Sequence, residues 1–224
     1  MISNDNILFI AEFLGSVAFA VSGTLVAIRK KLDYFGIIVL ATITTVSGGM
    51  IRDVILGNIP PQVFFKPIFA GIAVFTAIIV ILALNRLDPS YIKKVNSLLA
   101  KSMLYFDAIG LGAFTATGLI VSLNTANHSA FLCIFVAVIT GVGGGIVRDL
   151  LVSRIPLVLT REIYANASIV GAAAGYWVYS YWGEMACIYA TVVITSGIRI
   201  VAIQRNVHLP RVERFGDGVG KRGN

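Results

Sequence analysis

Apolar residues dominate seven long stretches of this chain: Ile7–Ile28, Tyr34–Leu56, Pro67–Leu84, Met103–Leu123, Ala130–Val152, Ile163–Tyr181 and Met185–Ile203. Short polar or turn-forming segments separate them. A run of about 18 or more apolar residues is long enough to cross a hydrocarbon core of about 30 Å as a helix. The pattern predicts an all-α membrane protein with seven transmembrane helices over residues 1–204 and a basic tail over 205–224.

The pattern also repeats. Glu12-Phe-Leu-Gly15 matches Asp107-Ala-Ile-Gly110, and Ala18 to Gly23 matches Ala113 to Gly118, both at an offset of 95. After a one-residue shift, Gly48-Gly49-Met-Ile-Arg52-Asp53 matches Gly144-Gly145-Ile-Val-Arg148-Asp149, and Ile59-Pro60 then matches Ile155-Pro156. Each copy holds three spans, about 7–84 and 103–181, so the second copy enters the membrane in the opposite orientation. The seventh span, 185–203, stands outside the repeat. Inverted repeats of this kind set a solute path between their copies.

Two glycine clusters carry the chemistry of that path. Gly48-Gly49 and Gly143-Gly144-Gly145 sit inside the second and fifth spans, each followed by Arg-Asp. Glycine costs a helix about 1 kcal/mol and frees the backbone, so the clusters are expected to kink these helices. Freed carbonyls, with Thr44, Thr45, Ser47 and Thr140, would then line the route. On this reading Gly144→Leu lowers conduction in a protein that still assembles. Seven charges lie within the spans: Glu12, Arg52, Asp53, Asp107, Arg148, Asp149 and Arg199. A charge at a span centre costs about 2.5–3.5 kcal/mol on insertion scales, so each needs a partner or water. The repeat predicts the pairs Glu12 with Arg52, in the outer half, and Asp107 with Arg148, in the cytoplasmic half. Adjacent helical residues point about 100° apart. Arg52 and Asp53 are therefore expected to serve different ends, one structural and one facing the path.

Composition agrees with the pattern: 57% of 224 residues are hydrophobic and 13% charged, far from a soluble domain. The net charge of +7 reads as a topology signal and not as a nucleic-acid surface. Fourteen Lys and Arg fall on one side of the membrane and only Lys66 on the other, which predicts an outer N-terminus and a cytoplasmic C-terminus in the cell (inner) membrane. The N-terminus lacks the basic region of a cleaved signal peptide. Cys133 and Cys187 fall inside spans and read as buried hydrophobes. His128 and His208 have no partner at ligand spacing, so no metal and no cofactor is expected. Gly171-Ala-Ala-Ala-Gly175 reads as a helix-packing face, and Tyr176, Trp177, Tyr179, Tyr181 and Trp182 as an interfacial aromatic belt. Asp88-Pro89 starts a short interfacial helix whose lysines would meet anionic lipid. Enzyme readings fail, because no nucleophile-base pair or metal cluster accompanies the carboxylates, and the glycine runs lack the Lys-Ser/Thr of a phosphate loop.

The doubled GG-x-x-RD motif, the three-plus-three-plus-one arrangement and Arg199-x-x-Ala-x-x-Arg-Asn-x-x-Leu-Pro210 together resemble the trimeric intracellular cation channel family, in its prokaryotic branch. The resemblance covers about Ile7 to Pro210. It implies a homotrimer in the lipid bilayer with a pore in each subunit, kinks at Gly48-Gly49 and Gly143–Gly145, and Arg52, Asp53, Arg148 and Asp149 beside the pore. It further implies permeation of potassium and, to a lesser degree, sodium. The same domain is also read as a glycine transporter, which stands as the alternative.

Overall fold

A computed structural model describes residues 4–86, 89–126, 129–160 and 163–205; within these, the side chains of 4, 5 and 89–97 are left aside. Among the described residues, seven α-helices and one short 3-10 turn follow in order: α1 Asn4–Arg29, α2 Tyr34–Ile55, the turn Gln62–Phe64, α3 Ile68–Asn85, α4 Pro89–Leu123, α5 Ala130–Leu151, the four-residue α6 Leu157–Thr160, and α7 Ile163–Arg205. At about 1.5 Å per residue, α1, α2 and α5 are of membrane length. Capping sets the starts of the latter two: Asp33 accepts the Gly36 N–H at 2.7 Å ahead of α2, and Ser129 accepts that of Leu132 at 3.2 Å ahead of α5.

At 43 residues, α7 would be about 64 Å long if straight, twice what a bilayer holds. Gly183 resolves this. Its φ of 76° and ψ of −170° interrupt the helical backbone, and the chain turns back there. Gly171 faces Thr195 and Gly175 faces Thr191, a register centred on Gly183, so the two limbs form an antiparallel hairpin. The sixth and seventh expected spans are these limbs, and Gly171–Gly175 is the packing face between them. Trp177, Tyr181 and Trp182 cluster beside the turn, largely exposed, with ring centroids 5.0–5.8 Å apart.

The expected interfacial helix is not a separate element. Pro89 is the first residue of α4, which then continues without interruption through the fourth span to Leu123. Between Val95 and Met103 the chain has no glycine or proline to stop it. Asp88, His128, Arg161, His208 and the tail beyond Arg205 lie outside the described residues.

The four central helices pack as α1 against α4 and α2 against α5. Two apolar cores divide the molecule. One joins Leu25, Leu40, Met103, Leu111 and Tyr164, and the other joins Ile7, Leu119, Cys133 and Cys187, so both cysteines are buried as expected. The structure supplies an accessible pair for testing orientation, Asn58 and Lys31, on opposite sides by the charge pattern. In intact cells, a membrane-impermeant thiol reagent should label the Asn58→Cys protein and spare Lys31→Cys. The reverse pattern would overturn an outer N-terminus.

Candidate functional site: a charged cavity in one of two inverted repeats

The glycine clusters do not break their helices. Backbone hydrogen bonding stays helical from Tyr34 to Ile55 and from Ala130 to Leu151, with no non-helical residue within either. Instead the glycines let α2 and α5 cross at backbone contact. A Cβ on Gly48 would meet the Thr140 carbonyl, and one on Gly144 the Thr44 carbonyl. Gly143 lies against Gly48, its missing Cβ position 3.2 Å from the Gly48 Cα. This is the close approach that small residues permit between membrane helices. Thr44 and Thr140 belong to the same contact. Each is fully buried, donates its hydroxyl to a carbonyl four residues back (Leu40 and Val136, both at 2.6 Å), and fits against a glycine, Gly23 or Gly118.

The expected charge pairs do form. Arg148 Nη1 lies 2.6 Å from Asp107 Oδ1, and Arg52 Nη1 lies 3.9 Å from Glu12 Oε1. Each arginine also folds back onto its neighbour, with Nε donating at 2.9 Å to Asp53 and at 3.0 Å to Asp149. Helical neighbours do point apart, but the long guanidinium arm spans the gap. The second oxygen of each aspartate accepts a backbone N–H from the following loop, that of Gln62 at 2.9 Å and that of Leu157 at 3.0 Å. Asp53 and Asp149 are thus structural: they tie the 3-10 turn and α6 to the helix ends. These two short elements are repeat mates that the sequence reading missed. Their signal was the repeated Ile-Pro, six residues after each aspartate, with the accepted N–H groups nine and eight residues after it.

The two halves differ in access. A cavity of about 330 Å³ opens beside the α2–α3 loop and is lined by Glu12, Ser16, Thr45, Gly49, Arg52 and Asp53, with Lys66 and Gln62 at its rim. Phe114 forms part of its wall. Ser47, on the same stretch of α2, is buried. The corresponding place in the other half is filled. Asp107, Arg148 and Asp149 have no exposed surface, and Ser22 accepts from Arg148 Nη1 at 2.7 Å among them. Leu111 stands where the first repeat has Ser16, and Tyr164 where it has Phe69. The second limb of α7, with no mate in the first repeat, sets Arg199 over the Tyr164 ring at 4.6 Å. Gly145 faces this cluster, its missing Cβ position 2.9 Å from the Tyr164 hydroxyl. Of the residues expected along the path, Glu12, Thr45, Gly49, Arg52 and Asp53 meet in the open cavity. Thr44, Gly48, Thr140, Gly143 and Gly144 meet at the crossing, and Asp107, Gly145, Arg148 and Asp149 lie in the sealed half.

Known proteins place this architecture. A family model described as glycine transporter matches twice, over residues 9–85 and 104–180, the same 95-residue displacement as the internal repeat. The UPF0126 inner membrane protein YadS of Escherichia coli K12 is 35% identical over 204 residues, which cover 89% of this chain and 93% of YadS. A UPF0126 membrane protein of Vibrio cholerae is 34% identical over 214 residues, covering 92% of this chain and 83% of the relative. Among solved structures, the crystal structure of a prokaryotic TRIC channel in 0.5 M KCl superposes with a TM-score of 0.82 at 30% identity, over 91% of this chain and 98% of that one. The TRIC orthologue from Rhodobacter sphaeroides gives a TM-score of 0.78 at 30% identity, over 90% and 99%. With its doubled GG-x-x-RD motif, its inverted three-helix repeats and this agreement along nearly its whole length, the chain belongs to the trimeric intracellular cation channel family, in its prokaryotic branch.

Proposed function

We propose that the protein is a cation channel of the bacterial inner membrane, that it passes potassium and to a lesser degree sodium, and that it works as a homotrimer with one path in each subunit. The observation that carries this reading is the charged cavity within the first repeat, walled on one side by Phe114 and Val121 of the second, in a chain that superposes on TRIC cation channels over nine-tenths of its length. Inside that cavity Asp53 is committed to Arg52 and to the Gln62 N–H. Glu12, 3.9 Å from Arg52 and with 21% of its side chain exposed, is the carboxylate left to meet a permeant cation. Orientation follows the basic residues: the cavity faces outward and the sealed cluster faces the cytoplasm.

Glu12→Gln removes one negative charge from a cavity that holds Glu12 and Asp53 against Arg52 and Lys66. At about 7 Å in a partly wet site this changes the Coulomb energy of a cation by about 1 kcal/mol, roughly fivefold in its local concentration. In liposomes under a KCl gradient, potassium flux through Glu12→Gln should fall about that much, and the potassium-over-chloride preference should weaken. Unchanged flux and selectivity would remove Glu12 from the path.

The alternative, a glycine transporter, draws on the same cavity. Arg52 and Lys66 could receive a carboxylate while Glu12 receives an ammonium. Saturable glycine uptake into liposomes without potassium conductance would establish it in place of the channel.

A further inference from the structure

On α1, Glu12, Ser16, Phe19 and Ser22 follow one another at spacings of four, three and three residues, which puts them on one stripe of the helix. Glu12 and Ser16 line the open cavity, and Ser22 binds Arg148 in the sealed cluster. Phe19 is the single apolar residue between them. Its ring has no exposed surface and rests on two glycines of the second repeat, where side-chain β-carbons on Gly110 or Gly144 would strike it. Its repeat mate Phe114 packs on it with centroids 5.1 Å apart. The two rings are not seated alike. Phe19 comes within 2.9 and 3.0 Å of the missing Cβ position of Gly144. At Gly48, the mate of Gly144, the nearest atoms are α5 backbone and Phe114 comes no nearer than 3.5 Å. Phe114 does rest on Gly15, the mate of Gly110, 3.2 Å from its missing Cβ position, so the two rings differ at the crossing: Phe19 covers Gly144, whereas Phe114 stands off Gly48 and borders the cavity.

We infer that Phe19 is the gate residue of the path, an apolar plug held on Gly110 and Gly144 that separates the wet outer cavity from the Ser22, Asp107 and Arg148 cluster. A ring across a narrow polar route excludes water, and with it a hydrated monovalent cation, until it moves. Opening takes the ring off Gly144, toward the stand-off that Phe114 keeps from Gly48. The glycines have a second role on this reading, because a side chain at either would take the space in which the plug sits.

This inference rests on the proposed conducting path, and its test is chosen to stand without ion flux. Thiols introduced by Gly49→Cys and Ser22→Cys lie on either side of the plug, in a background where Cys133 and Cys187 are replaced by alanine. Gly49 is half-buried in the cavity wall, and a Cβ there meets nothing nearer than 3.7 Å, whereas Ser16 is fully buried. In oriented liposomes, a small charged thiosulfonate applied from the cavity side should label Gly49→Cys and spare Ser22→Cys while Phe19 is present. Adding Phe19→Ala should raise the labelling rate of Ser22→Cys at least tenfold and leave that of Gly49→Cys within about twofold. Potassium flux should rise by a similar factor. If Phe19→Ala fails to fold, Phe19→Leu provides a smaller plug with a several-fold rise expected. Ser22→Cys labelled as fast as Gly49→Cys with Phe19 in place would overturn the gate, as would protection that survives the loss of the ring. Labelling that responds to Phe19 in a protein carrying no potassium would keep the gate and reject the channel.

Discussion

Gly144→Leu should fail to yield assembled protein, and Gly48→Leu should fail in the same way. At both positions the missing Cβ would fall on a main-chain carbonyl of the facing helix, Thr44 or Thr140, so no side-chain rotation can make room. Even alanine forces α2 and α5 apart. Overpacking of this kind costs about 1–3 kcal/mol, occasionally more, and separating the helices also loosens Thr44 from Gly23 and Thr140 from Gly118. Gly144→Ala is therefore expected to lower thermal stability in detergent by an amount at the upper end of that range. Gly197→Ala is the control: nothing lies within 4 Å of its missing Cβ, and alanine favours helix by about 1 kcal/mol over glycine. Size exclusion and a melting curve separate the cases. A well-assembled Gly144→Leu protein with reduced conductance would show instead that the glycines shape the route and do not hold the helices together.

Asp107→Ala should be the most damaging single charge removal in the chain. Arg148 and Asp107 meet at 2.6 Å with no exposed surface on either, so alanine leaves a buried guanidinium with one carboxylate, Asp149, where it had two, beside the neutral Ser22 hydroxyl. Breaking a buried pair from one side costs about 3–5 kcal/mol, because the remaining charge keeps its desolvation penalty without its partner. The outer mate behaves differently. Glu12 is 3.9 Å from Arg52 and partly exposed, and exposed or hydrated pairs contribute about 0–1 kcal/mol. Melting temperatures should therefore drop steeply for Asp107→Ala and little for Glu12→Gln, although the two residues occupy the same place in the repeat. A second change, Arg148→Met, should recover none of the loss in Asp107→Ala, since it strips the buried Asp149 of its Nε donor at 3.0 Å and leaves that carboxylate with the Leu157 N–H alone. Equal losses at Glu12 and Asp107 would mean that the two halves are equally wet.

That contrast marks how far the sequence could be read. The repeat alone predicted which carboxylate faces which arginine, because an unpaired charge inside a span is too costly to leave in either copy. The length of the apolar runs located the seven spans, and the small residues of Gly171–Gly175 the packing face. Glycine clusters were ambiguous, since the residue that releases a helix is also the one that lets two helices touch, and the facing carbonyls of Thr44 and Thr140, which show the second use, are not legible in the spacing. Neighbouring Arg and Asp were separated by helical geometry, which fixes Cβ directions and not the reach of a guanidinium. The open and sealed halves could not be told apart from the motif, which is the same in both. Their difference lies in Ser16 against Leu111, Phe69 against Tyr164, and in a seventh span that covers one repeat only.

The measurement that bears most directly on the proposed function is a recording from purified protein in a planar bilayer under a potassium chloride gradient. A cation channel gives discrete unitary currents of picoampere size whose reversal potential lies near the potassium equilibrium potential. An electrically silent bilayer, with the same preparation taking up glycine saturably into liposomes, would contradict it.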